Sequence, residues 1–62
     1  MRILLVEDEK RMASFIERGL KEERYVVDVA PDASRGLFLA EVNPYDAIIL
    51  DIMLPDRDGI SL

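Results

Sequence analysis

Cysteine and histidine are both missing from this 62-residue chain. Without cysteine no disulfide can brace it, and without either residue a structural zinc site lacks its usual ligands. A domain this short buries little surface and is marginal alone, so oligomers or metals other than zinc remain as the usual supports. Long apolar runs are also missing, and none approaches the ~20 residues that span a bilayer. Met1-Arg2 and the four apolar residues after it are too short for a signal peptide, and no small-residue cleavage site follows. The expected setting is therefore the cytoplasm. Positive charge is scarce: 8 Lys and Arg face 13 Asp and Glu, a net charge of −5. That balance argues against nucleic-acid binding by this segment, which would need a basic face. Solubility or the steering of partners accounts for it equally well. No glycine-rich turn follows the first apolar run, so a nucleotide-binding module is disfavoured.

Half of the residues are apolar, enough for a core and too many for a disordered chain. Two apolar runs end in carboxylates. Ile3-Leu4-Leu5-Val6 runs into Glu7-Asp8-Glu9, and Ala47-Ile48-Ile49-Leu50 runs into Asp51. Short branched runs that are polar on neither face are the pattern of strands buried on both sides of a parallel sheet. Between them, Met12, Phe15, Ile16 and Leu20 form one apolar stripe at helical spacing, which predicts a helix over Lys10–Glu22. Asp8 is its expected cap, and Gly19 weakens its last turn slightly. Tyr25–Ala30 reads as a strand, with Asp28 marking an edge position that is wetter on one side. Asp32 is placed to cap a second helix reaching Val42, with Ala33, Gly36, Leu37 and Ala40 on its packing stripe. Small residues there allow a close approach to a sheet, while Phe38 points elsewhere. Asn43-Pro44 stops this helix, and Ala47–Leu50 forms the third strand. Pro55 and Gly59 punctuate a loop after Asp51, and Asp58 is placed to cap a third helix beginning near Gly59. The order β-α-β-α-β predicts a single α/β domain with right-handed crossovers.

Neighbouring parallel strands lie ~4.8 Å apart. If the two acid-tipped runs are neighbours, Glu7, Asp8 and Asp51 meet at the carboxyl edge of the sheet, where ligands bind in open α/β folds. Like charges so close call for a counter-ion, and a hard cation such as Mg²⁺ suits carboxylates, waters and phosphate oxygens. Asp51 is the candidate phosphoryl acceptor, since a carboxylate can carry the group as an aspartyl phosphate. Asp8 is placed to ligate the metal directly, Glu7 to hold it through a water, and the backbone carbonyl of Met53 to add a further oxygen. Taken singly, each acid has a blander reading, as a strand end or a solvated turn. The pairing of two acid-tipped strands favours function.

The stretches Ile3–Glu9 and Tyr45–Gly59 resemble the receiver domain of bacterial two-component response regulators, in the subfamily that carries a winged-helix DNA-binding domain after the receiver. The resemblance implies a flavodoxin-like α/β sandwich with strand order 2-1-3-4-5, here reduced to 2-1-3. It implies that Asp51 is the phosphoacceptor, that Glu7 and Asp8 are the acidic pair for Mg²⁺, and that Met53 offers its carbonyl to the metal. It implies a sensor histidine kinase as partner, and DNA contact only through a separate C-terminal domain that is absent here. Glu at the first acidic position is accepted in that family. Gly36 stands where the family often has Ala, and Asp32 where it often has Gly. Residues 1–62 correspond to the first half of such a domain. The hydroxyl residue and the Lys that bind the phosphoryl group fall beyond it, so the fragment is expected to be impaired in phosphorylation and not to act as an enzyme.

With order 2-1-3 the third strand has a bare outer edge, a template for pairing. A homodimer is therefore expected, with third strands paired antiparallel about a two-fold axis or elements exchanged. Two alternatives stand beside the receiver reading. One is a structural or assembly fragment without activity. The other is a Mg²⁺-dependent phosphatase with an aspartyl nucleophile, disfavoured because Asp51-Ile52-Met53 lacks the second Asp of an Asp-x-Asp motif.

Overall fold

The computed structural model describes residues 1–51 of the chain. They form β1 (Arg2–Glu7), α1 (Lys10–Glu22), β2 (Val26–Ala30), α2 (Ala33–Val42) and β3 (Ala47–Asp51). The strands make one parallel sheet in the order β2-β1-β3, as expected for a flavodoxin-like receiver. The loop with Pro55 and Gly59, the Met53 carbonyl and the helix expected after Asp58 lie outside the described residues.

β1 is the centre of the molecule. Its residues alternate between two small cores, as period-2 geometry requires. Leu4 and Val6 join Ala30 on one face, covered by Leu39 and Ala40 of α2 and by Tyr45. Leu5 joins Val27 on the other, covered by Ala13, Ile16 and Leu20 of α1. Both faces of β1 are thus dry, which is why its sequence shows no polar alternation.

α1 has the predicted bounds, but its cap is Glu9 rather than Asp8. Glu9 is the extended residue directly before the first helical turn, and its side chain accepts from the Met12 amide at 2.8 Å. Asp8 lies one residue too early for that bond. The far end closes without glycine. Arg24 takes the left-handed conformation (φ 69°), its amide donates to the Lys21 carbonyl, and the Tyr25 amide donates to that of Leu20. This is a Schellman closure, with Leu20 and Tyr25 both in the underlying core. It uses up the Tyr25 amide, so β2 starts at Val26 rather than at Tyr25.

The packing stripes of both helices differ from the predicted ones. On α1 the buried line is Ala13, Ile16 and Leu20, while Met12 and Phe15 are exposed, Phe15 by 72%. On α2 the line is Gly36, Leu39 and Ala40, while Leu37 is 64% exposed. On α2 the reason lies in Gly36. A Cβ there would meet Val6 Cγ2 at 2.7 Å, so α2 rests on the sheet at its glycine, and the residues three and four positions on turn inward with it. Asp32 caps α2 as predicted, accepting from the Arg35 amide at 2.8 Å. Phe38 lies half open with the Arg35 guanidinium over its ring at 5.4 Å.

β3 departs most from the sequence reading. Ile49 packs into the α1-side core, but Ile48 is 51% and Leu50 70% exposed. Its apolar run indicated burial on both sides. Among the described residues both helices rest on β1 and β2, and neither covers the α2-side face of β3.

Candidate functional site at the carboxyl edge

Parallel pairing places the ends of β1 and β3 side by side, with Glu7 and Asp51 as register partners. Partners in a parallel ladder project to the same face, so the two carboxylates share a rim. Asp8 follows Glu7 directly, in the bend that leads to α1. Asp8 and Asp51 are exposed, whereas Glu7 is only 5% exposed.

The Glu7 side chain is half satisfied. Its Oε2 accepts from the Glu9 amide at 2.9 Å, while its buried Oε1 has no hydrogen-bond partner among the described residues. The Glu9 amide pulls the Glu7 pKa down, but burial and the neighbouring carboxylates of Asp51 and Asp8 together hold it above the usual glutamate range. A buried acceptor without a donor is costly, and repulsion from two further acids adds to that cost.

These features fit a hard divalent cation. The donors are carboxylate oxygens, one lone pair is unused, and the local charge is unbalanced in the direction that a cation relieves. Among the described residues no three such side chains are close enough together to hold a metal ion, and one or two carboxylates with waters are the usual holders of Mg²⁺. Met53, the expected carbonyl donor, lies outside the described residues.

A second polar cluster, which the sequence reading did not resolve, occupies the opposite, amino edge of the sheet. Asp28 Oδ2 accepts from the Tyr45 hydroxyl at 2.6 Å and from Arg2 at 2.9 Å, and the Arg2 guanidinium lies 5.2 Å from the Tyr45 ring centroid. The Tyr45 hydroxyl and Arg2 hold the Asp28 carboxyl below the ordinary aspartate range. Asp28 in turn raises Arg2, and burial followed by Asp28 raises Tyr45. Asp46 Oδ2 accepts from the Arg2 amide at 2.7 Å, and the Asp46 amide donates to the Arg2 carbonyl at 2.7 Å. The available signal was Asp28 itself, a charge interrupting an apolar strand, with Arg2 of opposite sign at the start of another.

No helix among the described residues is long and apolar enough to cross a membrane. The Response regulator receiver domain family matches residues 3–62. Among curated proteins, the chain is 49% identical over 59 residues to the transcriptional regulatory protein CusR of Escherichia coli, covering 95% of this chain and 26% of that protein. It is 48% identical over 59 residues to the transcriptional activator protein IrlR of Burkholderia pseudomallei, and 48% over 60 residues to the response regulator ArlR of Staphylococcus epidermidis. In these matches the chain spans 26% of IrlR and 27% of ArlR, against 95% and 97% of itself. The parallel sheet with acids at its carboxyl edge and the match along nearly the whole chain agree, and the chain belongs to the response regulator receiver domain family of two-component signal transduction.

Proposed function

We propose that this chain is the phosphate-accepting portion of a two-component transcriptional regulator, with Asp51 as the acceptor. The observation that carries the reading is the pairing of Asp51 with Glu7, whose buried Oε1 lacks a partner, at the carboxyl edge of a receiver sheet. A carboxylate oxygen of Asp51 attacks phosphorus, the bond from phosphorus to the donor atom breaks, and the donor leaves with the bonding pair. Asp51 suits this role because it is exposed at the rim, open to a phosphodonor, while the strand behind it is paired to β1. Glu7 and Asp8, with the Met53 carbonyl, are the proposed holders of Mg²⁺. When bound, Mg²⁺ neutralises charge on the phosphoryl oxygens. The donor is a sensor histidine kinase, the setting is the cytoplasm, and DNA is contacted by another part of the regulator; CusR and IrlR are named as a transcriptional regulatory protein and a transcriptional activator protein. The chain carries the phosphoryl group rather than turning over a substrate, so it is not an enzyme in the ordinary sense.

The test is exposure of the purified chain to an acyl phosphate and Mg²⁺, followed by intact-mass measurement. The expected result is slow gain of one phosphoryl group, lost in Asp51→Asn and lost on chelation of the metal. Labelling that survives Asp51→Asn would overturn the assignment.

A second copy of the chain is the proposed partner of the β3 edge. Support comes from the half-open Ile48 and exposed Leu50 on that strand, and from the tendency of bare apolar edges to pair. Light scattering at micromolar concentration should give the mass of two chains, and a folded monomer would refute the pairing.

A further inference from the structure

We propose that Asp46 is a positioning residue, which locks β3 onto β1 at the amino edge and thereby sets Asp51 opposite Glu7 at the other end. The proposal deepens the phosphoacceptor reading and rests on it. Parallel register is strongly specified where a strand buries a face, and weakly where it does not. β3 receives little help of that kind. Among the described residues, Ile48 and Leu50 are open on its α2 side, and of β3 only Ile49 reaches a core. A slip of one residue would turn Asp51 to the other face and bring Leu50 or the residue after Asp51 beside Glu7. Packing alone does little to forbid that slip.

Asp46 supplies the missing specification. Its amide donates to the Arg2 carbonyl, and its carboxylate accepts from the Arg2 amide, both at 2.7 Å. Before β3 begins at Ala47, the Arg2 amide takes a side-chain acceptor where the ladder would offer a backbone carbonyl. The Asp46 side chain takes that place. From this two-point clamp the register continues without a break from Ile3 opposite Ala47 to Glu7 opposite Asp51. Arg2 is tied in turn to β2 through Asp28 and stacked on Tyr45. The first residue of β1 therefore holds both neighbouring strands, and the rim geometry at the far end inherits its spacing from this end.

The probe is Mn²⁺, used as a paramagnetic substitute for Mg²⁺. Its affinity is read from the broadening of amide signals at residues 7, 8 and 51, alongside the cross-strand nuclear Overhauser contact between Glu7 and Asp51. Four variants are compared with the parent chain: Asp46→Ala, Asp46→Asn, Asp51→Asn and Leu39→Ala. The last lowers stability by packing alone, away from the clamp. The expected result is that Asp46→Ala weakens Mn²⁺ binding by about tenfold, the scale seen when support of a metal ligand is lost, and loses the Glu7–Asp51 contact. Asp46→Asn, which keeps an acceptor oxygen, and Leu39→Ala should stay near the parent. Should Asp46→Ala not fold, Asp46→Ser, too short to reach the Arg2 amide, takes its place. Parental affinity with the contact intact in the clamp variant would overturn the proposal, as would an equal loss in Leu39→Ala. If Asp51→Asn leaves Mn²⁺ affinity unchanged, the phosphoacceptor site itself is at fault. The cross-strand contact then decides the clamp by itself.

Discussion

Leu5→Ala is expected to remove about half or more of the folding stability of the chain. Leu5 is 0% exposed at the middle of the central strand, packed against Ala13, Val27, Ile16 and Leu20. Truncating a buried leucine costs about 2–5 kcal/mol, the upper end applying where neighbours cannot collapse into the gap. A chain of 62 residues has about 3–9 kcal/mol of stability to lose at ordinary values per residue. The neighbours of Leu5 sit on a helix and a sheet that are each held elsewhere, so the gap will not close readily. Urea unfolding followed by circular dichroism tests this. A midpoint within a few tenths molar of the parent would show that the sheet is not held through β1.

The second large effect concerns pH, where two carboxylates act in opposite directions. The Tyr45 hydroxyl, and then Arg2, hold Asp28 below its ordinary value. Its contribution is therefore fully present above the unfolded-state value, about 3.9, and is lost as pH falls through the lower folded-state value. Glu7 is held above its ordinary value by burial and by Asp51 and Asp8, against the pull of the Glu9 amide. The folded state thus holds the Glu7 proton more tightly, and stability falls as pH rises from about 4.3 through the folded-state value. In a chelator, stability should decline from mildly acidic toward neutral pH, and again at strong acid. Asp28→Asn should lose on the order of 1–3 kcal/mol at neutral pH, toward the lower end because the Asp28 side chain is 32% exposed. Its deficit should shrink below about pH 4. Glu7→Gln should abolish the decline toward neutral pH. Parallel pH profiles for the parent and both variants would sink this account.

The two effects share one architectural fact. β1 begins in a network of fulfilled polar contacts and ends in an unfulfilled one. At the amino edge, Arg2, Asp28, Tyr45 and Asp46 satisfy one another. At the carboxyl edge, Glu7 Oε1 is buried without a donor. The mutually satisfied contacts thus lie at the end away from the proposed site. The opposite rim keeps an excess of negative charge, which a metal ion and phosphoryl transfer would use.

Much of this was legible from residue order. The apolar runs tipped by Glu7 and Asp51, the stripe within Lys10–Glu22 and the Asp32 cap reflect local rules, because strand alternation, helical period and capping depend on residues within a few positions of one another. The strand order followed from the family resemblance. What misled was any inference about which side of an element would be covered. Leu37 and Phe15 lie on plausible stripes, yet Leu39, partly buried, and Ala13, buried, are the ones that face the cores. On α2 the choice was made by the near contact of Gly36 with Val6, an event between segments thirty residues apart. The cap of α1 moved from Asp8 to Glu9 because the bend after β1, and not residue preference, sets the first helical turn.

By itself, the order of residues determined the elements, their sequence along the chain and the two acids that tip the apolar strands, since each depends on short-range periodicity and on a motif read in one stretch. Only the tertiary structure decided that Glu7 is buried with a lone acceptor, that β3 lies half open, and that Arg2 and Asp46 clasp at the edge away from the acids. Those outcomes depend on distances between residues remote in the chain, and such distances exist only once the crossovers have closed and the strands have taken their register.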